Sequence, residues 1–121
     1  MEVNSYKDLI FWQKSVDLVI EIYKLVDQFP SSEQFGLVNQ MKRCAISIPA
    51  NIAEGRRCGT AREYHRFLRV AFASGAKLET HLIVSNRLGF CGSVSTKKSN
   101  DLLEEVMIML NKTLQSLRPT S

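Results

Sequence analysis

The chain has 121 residues and a formal net charge of +4, with 45% hydrophobic and 23% charged residues. This composition is typical of a soluble globular domain, and no apolar run approaches the roughly 20 residues that a membrane span needs. We therefore expect a single domain over residues 1–121. The N-terminus lacks the basic and apolar regions of a signal peptide, which predicts a cytoplasmic location.

The first predicted helix runs from about Lys7 to Gln28, between Ser5 and the sequence FPSS. Its apolar residues cover roughly 200° of the helical wheel, against roughly 100° for an ordinary surface helix. They form two stripes, Leu9, Trp12, Val16, Val19, Tyr23 and Val26 on one, and Phe11, Leu18, Ile22, Leu25 and Phe29 on the other. We expect part of this wide face to contact another subunit.

The second predicted helix runs from about Ser32 to Arg57 and contains Pro49. A proline inside a helix removes one amide donor and crowds the carbonyl four residues earlier, at a cost near 3 kcal/mol. This predicts a kink in the second helix. One face of this helix carries the apolar residues Val38, Met41, Ala45, Ile48 and Ile52.

Two polar residues follow the proline on one face of the helix, Asn51 and Glu54. Either both are solvated, or both are held in a polar network with a cation such as Arg43. A buried carboxylate needs a partner, because an unpaired charge inside a bundle is costly. We expect Arg43, Pro49, Asn51 and Glu54 to form a structural motif.

The third predicted helix begins with a capping box at Thr60-Ala-Arg-Glu63 and continues to about Leu88, before Gly89. The small residues Ala71, Ser74 and Gly75 would let a neighbouring helix approach closely. The predicted core face consists of Tyr64, Phe67, Leu68, Ala71, Gly75, Leu78 and Leu82.

The fourth predicted helix extends to about Leu117, and its apolar face carries Leu103, Val106, Leu110, Thr113 and Leu117. No segment shows the alternation of a strand. Four helices of about 20 residues with short connections favour an all-α, antiparallel up-and-down four-helix bundle.

Four segments resemble the bacterial four-helix bundle proteins that are encoded in intervening sequences of 23S ribosomal RNA genes. They are SIPANIAEG at Ser47–Gly55, DLIFWQKS at Asp8–Ser15, FPSSEQFGLVNQMKRCA at Phe29–Ala45 and FLRVAFASGAKLETHL at Phe67–Leu82. The glycine-serine step that is usual in the third helix of this family is reversed here, as Ser74-Gly75.

The resemblance implies an up-and-down bundle that assembles into a closed ring, typically of five subunits. It also implies an association with RNA or ribosomes, which is the usual proposal for the family. Remote relatives serve as basic accessory subunits of reverse transcriptases. We therefore expect the chain itself as a partner in a homo-oligomer, and RNA or a ribonucleoprotein as a second partner.

Positive charge concentrates in one region of the chain. Between Lys42 and Arg69 there are seven basic and two acidic residues, a local balance of +5, so the remainder sums to −1. Within the third helix, Arg62, Arg66 and Arg69 fall opposite the core face. Such asymmetry suggests a surface for a polyanion. The predicted nucleic-acid-binding residues are Arg56, Arg57, Arg62, Arg66 and Arg69.

The same arginines have a simpler interpretation as a solvated helix face, whose field Glu63 would moderate. The aromatic residues nearby belong to the core face, so no platform for stacking bases is evident. If nucleic acid binds, contacts to the backbone phosphates should dominate and sequence selectivity should be low.

Several apolar residues of the third helix, including Phe72, Ile83 and Val84, fall outside its core face. Scattered surface exposure is common, but the wide face of the first helix favours subunit contacts. The predicted interface residues are Phe11, Trp12, Leu18, Ile22, Phe72 and Ile83.

Catalytic and metal-binding patterns are lacking. His65 and His81 lie 16 residues apart without a recognised nucleophile motif, and Glu79 is too close to His81 for a bundle di-metal site. The cysteines Cys44, Cys58 and Cys91 form no CxxC pair, and Cys58 with His65 supplies at most half a site. We predict no enzyme activity, catalytic residue, metal, cofactor or small-molecule substrate. The alternative to an RNA-binding oligomer is a protein–protein assembly module that binds no nucleic acid.

Overall fold

The computed structural model describes residues 5–117, in which every regular element is a helix and no strand occurs. This confirms the all-α prediction. The four long helices are α1 (Ile10–Val26), α2 (Asn39–Arg57), α3 (Ala61–Arg87) and α4 (Ser93–Ser116). Within the described range, none of these helices is both long and apolar enough to cross a membrane.

The helices pack in a closed cycle, in which α1 contacts α2 and α4, and α3 also contacts α2 and α4. The contacts between α2 and α3 run in opposite chain directions, since Ser47 meets Ser74 while Gly55 meets Phe67. The two ion pairs between α1 and α4, Lys14–Glu105 and Glu21–Lys98, run in opposite directions as well. These neighbours are therefore antiparallel.

The bundle core takes its residues from all four helices, and most of them lie on the apolar faces seen in the sequence. Each predicted core residue of α2 is buried, and so are all those of α3 except the half-buried Phe67. The largest fully buried side chains are Leu18, Ile22, Leu25, Met41, Ile48, Ile52, Leu68, Leu78, Leu82, Leu103, Val106 and Leu110.

The first helix begins later than its periodicity predicts. Tyr6–Asp8 form a short 3-10 helix whose first turn is capped by Ser5, because its hydroxyl accepts a hydrogen bond from the Lys7 amide. Leu9 is then extended, and α1 begins at Ile10. The predicted capping residue therefore serves the short helix rather than α1.

The connection from α1 to α2 is also helical, but irregular. A 3-10 turn at Ser31–Glu33 leads into a π-helical segment at Gln34–Val38, where Gly36 leaves helical geometry with φ −109° and ψ −105°. From Asn39 onwards α2 is uninterrupted, and it continues through Pro49. The break in this region thus lies at Gly36, and the kink at Pro49 stays a prediction.

Both ends of α3 follow the local signals in the sequence. The Thr60 hydroxyl accepts from the Glu63 amide at 3.2 Å, which confirms this half of the capping box. Gly89 follows the helix with a φ of +75°, a conformation that favours glycine. The small residues of α3 also allow close approach, since Ser74 bonds to Ser47 of α2 and Gly75 lies against Met107 of α4.

Candidate nucleic-acid interface

The five predicted nucleic-acid-binding arginines lie along one end of the bundle. Arg56 and Arg57 occupy the last turn of α2. Only the three residues 58–60 separate them from α3, which carries Arg62, Arg66 and Arg69 on its first three turns. We call these five residues the basic end.

Gly59 shapes the turn that brings the two helices together. Its φ of +84° lies in the left-handed region, which a residue with a side chain rarely adopts. The extended backbone of Thr60 then starts α3 in the reverse direction. The basic end therefore depends on a turn as well as on the two helix faces.

Arg66 is not a free cation, because Glu63 occupies its guanidinium. The Glu63 carboxylate accepts from Arg66 Nε at 3.2 Å and from Nη2 at 2.9 Å. This hydrogen bond, followed by the attraction of the Glu63 charge and a smaller contribution from Glu54, raises the pKa of Arg66. The guanidinium also lies 4.4 Å from the centre of the Phe67 ring. One of the five positive charges is thus largely compensated, as the solvated-face interpretation anticipates.

Two further arginines rest on aromatic rings. Arg57 lies 5.6 Å from the Tyr6 ring centre and Arg56 lies 5.7 Å from that of Tyr64. Such contacts restrain a guanidinium without neutralising its charge. Burial raises the pKa of the Tyr64 hydroxyl, with a smaller opposing effect of Arg56. The rings therefore orient cations here, and they are not exposed platforms for bases.

Arg62 and Arg69 are exposed, and no other residue within 5–117 pairs with either. An open cavity of about 380 Å³ lies between the α2–α3 turn and the end of α4, and Arg56 is the residue of the basic end that lines it. Two glycines and one charged side chain are among the residues that line the cavity. The lining consists of Gly55, Arg56, Gly59, Thr60, Ala61, Tyr64 and Leu117. The basic end thus combines exposed charge with a concave surface.

The predicted structural motif in α2 separates into independent parts. Asn51 donates from Nδ2 to the Ser47 carbonyl at 2.8 Å and to the Ser47 hydroxyl at 3.0 Å. The Ser47 hydroxyl in turn lies 2.7 Å from that of Ser74 in α3. Asn51 is therefore half-buried in a polar network that joins α2 to α3. A polar network was one of the two alternatives for this residue, the other being solvation.

Glu54 is solvated, because its side chain is exposed. Arg43 cannot be its partner within one chain, because eleven residues of helix separate the two by about 16 Å. Of the two alternatives, a polar network thus holds Asn51 but includes neither Glu54 nor Arg43 within one chain. Sequence reasoning also missed the two serines, whose pairing depends on how α2 and α3 align.

The predicted oligomer interface needs a similar correction. Phe11, Leu18 and Ile22 are buried in the core of the single chain, so they are not available to a second copy. The reason is that α1 packs into the groove between α2 and α4 and buries a wide arc of its surface. Trp12 and Phe72 are partly buried against the core, and Ile83 is 51% exposed.

Other apolar residues, which the sequence analysis did not select, lie on the surface. Phe35 is 95% exposed and Val94 is 85% exposed, and both lie at the end of the bundle opposite the basic end. Ile10 and Ile20 of α1 are also exposed. The sequence did indicate the exposure of Ile20, because this residue falls outside both apolar stripes of the first helix.

The titratable residues that could carry other chemistry are scattered. Among residues 5–117, no three histidine, cysteine or acidic side chains cluster as a metal site would require. Cys44 is buried, Cys58 is exposed and all three cysteines are free. His81 has a buried Nε2 without a hydrogen-bond partner within the described range.

Comparison with known proteins agrees with this fold. The sequence profile of the family described as 23S rRNA-intervening sequence protein matches residues 7–112. A crystal structure of a protein of unknown function from the S23 ribosomal protein family of Bacteroides thetaiotaomicron superposes with a TM-score of 0.80 at 20% sequence identity. The match covers 87% of this chain and 98% of that one, and at this identity it shows the fold alone.

No curated protein is significantly similar to this chain. The profile nevertheless spans most of the sequence, including the SIPANIAEG segment and the helices on both sides of the basic end. The chain therefore belongs to the 23S rRNA-intervening sequence protein family.

Proposed function

We propose that this chain is a non-enzymatic, cytoplasmic homo-oligomer that binds RNA or a ribonucleoprotein through the phosphate backbone. The observation that carries the proposal is the basic end, where five arginines from two helices share one end of the bundle. Along the chain, the acidic residues nearest to these arginines are Glu54 and Glu63. The name of the family, which refers to 23S rRNA, adds support.

The contacts expected from this surface are to phosphates. Arginine presents a planar fork of donors that can hold a phosphate with two hydrogen bonds. The rings of Tyr64 and Phe67 are covered by the bundle and by Arg66, which leaves them poorly placed to stack on bases. RNA binding through this end would therefore depend strongly on salt and weakly on sequence.

A salt series with an unstructured RNA oligonucleotide tests this proposal. For single strands, the slope of log K against log salt is about −0.7 per phosphate contact. The Arg62, Arg66 and Arg69 to alanine variant should therefore flatten it by about 1.4, because Glu63 already occupies the Arg66 guanidinium. A matched control replaces Lys24, Lys97 and Lys98, which lie at the opposite end. Equal slopes for the two variants, or no binding at low salt, would contradict the proposal.

Homo-oligomerisation, with the five subunits that the family resemblance implies, is the second part of the proposal. Its support is the set of exposed apolar residues, among them Ile20 of α1 and Ile83 of α3. Sedimentation should give a mass well above the 13.7 kDa of one chain, and close to five times that value for a pentamer. Ile83→Glu and Ile20→Glu should lower that mass without loss of helicity, because both side chains lie on the surface.

The same apolar residues favour the alternative function, a protein–protein assembly module without nucleic acid. The Glu63–Arg66 ion pair also agrees with this alternative, because it removes one cation from the basic end. The two functions make different predictions in the salt series. An oligomer that shows no RNA binding at any salt concentration would support the assembly module.

A further inference from the structure

A second group of cations lies outside the basic end, in a cleft between α2 and α3. The cleft has a volume of about 460 Å³ and is lined by Gln40, Arg43, Cys44, Ser47, Ser74 and Lys77. We call it the α2–α3 cleft. Lys77 lies about 16 Å along α3 from Arg66, so the cleft is separate from the basic end.

Both cations line the cleft, and no carboxylate lines it with them. Arg43 comes from α2 and Lys77 from α3, at the level where the helices are joined by Ser47 and Ser74. No acidic residue lines the cleft, and neither cation forms an ion pair with any residue in 5–117. Two like charges at one cleft repel each other, and an anion between them would relieve this repulsion.

The charges of Arg43 and Lys77 both act on the thiol of Cys44, which also lines the cleft. Burial raises the pKa of the Cys44 thiol, and Lys77 and then Arg43 act in the opposite direction. A thiol at the base of the cleft therefore lies in the positive potential of both side chains. A bound anion at the same position would interact with the two cations at once.

The serine pair supplies a hydrogen-bond donor to the same cleft. Ser47 and Ser74 carry two hydroxyl protons, and the 2.7 Å bond between them uses only one. Asn51 donates a further hydrogen bond into the pair at Ser47 Oγ. Since neither hydroxyl donates to any other group within the described range, one O–H remains available. Its natural partner is an acceptor in the cleft.

The polar side chains of the cleft can donate hydrogen bonds to the same kind of ligand. A guanidinium, an ammonium group and a hydroxyl proton are all donors, and the Gln40 amide can donate as well. We propose that the α2–α3 cleft binds a phosphate group, with Arg43 and Lys77 providing the charge and the Ser47–Ser74 pair a hydroxyl donor. This inference does not rest on RNA binding at the basic end.

The test is a titration of the full-length chain with inorganic phosphate at constant pH and ionic strength, followed by amide NMR shifts. We expect saturable shifts that centre on the residues of the cleft. Arg43→Gln and Lys77→Gln should each weaken binding about tenfold or more, the usual consequence of losing a charge-assisted hydrogen bond. Both side chains are exposed, so the variants should fold normally. Ser74→Ala should weaken binding to a smaller extent.

Two controls distinguish this site from general charge effects. Lys97→Gln removes a cation from the opposite side of the molecule, and the Arg62, Arg66 and Arg69 to alanine variant removes the exposed charge of the basic end. Neither should change the affinity for inorganic phosphate. Shifts that spread over all cationic surfaces, or that survive in both Arg43→Gln and Lys77→Gln, would overturn the proposal.

A competition experiment with RNA shows whether the phosphate group that binds the cleft belongs to RNA or to a small compound. An unstructured RNA oligonucleotide that displaces inorganic phosphate from the cleft would assign the site to a backbone phosphodiester. If RNA leaves the cleft resonances unchanged while phosphate shifts them, the site takes a small phosphate compound. In both cases the Arg43 and Lys77 variants must weaken the response, and a response that they do not alter would refute the assignment.

Discussion

Gly55 of α2 lies so close to Phe67 of α3 that a methyl group added at Gly55 would be 2.7 Å from the Phe67 Cβ. A Cβ atom cannot move away by a change of rotamer, because it is fixed to the backbone. The glycine at the end of SIPANIAEG therefore sets the distance between the two helices that carry the basic end.

We predict that Gly55→Ala lowers the free energy of unfolding by about 1–3 kcal/mol, the usual range for overpacking a core. Urea denaturation would measure the change. Gly75→Ala is the matched control, because the atoms that it would meet belong to the flexible end of Met107. We expect Gly75→Ala to cost clearly less, and equal losses would contradict this interpretation of the helix contact.

Asn51 is held in a hydrogen-bond network and Glu54 is exposed, so substitutions at the two positions should change the free energy of unfolding by different amounts. Asn51→Ala removes two hydrogen bonds at the α2–α3 contact and should cost about 1–2 kcal/mol. Glu54→Ala changes an exposed side chain and should stay within about 0.5 kcal/mol of the parent protein. Chemical denaturation of both variants tests this, and a larger loss for Glu54→Ala would show that its carboxylate has a structural partner.

The ion pair between Glu63 and Arg66 predicts that removing an acid strengthens RNA binding. Glu63→Gln would release the Arg66 guanidinium and steepen the salt slope by about 0.7, the contribution of one phosphate contact. The Thr60 cap should survive, because it uses the Glu63 amide rather than the carboxylate. Glu79→Gln makes the same change of charge farther along α3. If the two variants bind RNA equally, Arg66 is not a phosphate ligand.

His81 predicts a loss of stability at mildly acidic pH. Burial, with a smaller effect of Lys77, lowers the pKa of His81 below its ordinary value of 6.5. Below pH 6.5 the unfolded chain therefore binds this proton more readily than the folded chain. The contribution of His81 is complete above pH 6.5 and declines as pH falls through the window between 6.5 and the lower folded pKa.

Denaturant unfolding at pH 7.5 and pH 5.5 would measure this dependence, which should not exceed about 1.4 kcal/mol per pH unit for one group. His81→Gln provides the comparison, because glutamine is polar and does not titrate. We expect the variant to lose less stability than the parent protein between the two pH values. An identical pH dependence would mean that His81 is equally basic in both states.

The sequence alone predicted the helices well because the relevant signals are local. Apolar periodicity identified four helices, Thr60 and Gly89 marked the ends of the third, and most of the chosen core residues are buried. The start of α1 was less predictable. Ser5 is a good capping residue for any helical turn, and only the extended backbone at Leu9 assigns it to the short 3-10 helix.

The interface residues illustrate where periodicity stops being informative. The helical wheel showed that Phe11, Leu18 and Ile22 share a face, but a wide apolar face can be covered by two helices of the same chain or by a second chain. Because α1 packs against both α2 and α4, helices of the same chain cover these three residues. Ile83, in contrast, remains on the surface.

What the sequence determined by itself was the helical architecture and the concentration of arginines near one turn, since both depend on residues close together along the chain. What only the tertiary structure decided was the alignment of α2 against α3. That alignment places Arg43 and Lys77 at one cleft and brings Ser47 to Ser74, although about 30 residues separate the members of each pair. Helical spacing orders residues within a helix, whereas the packing of neighbouring side chains sets the register between helices.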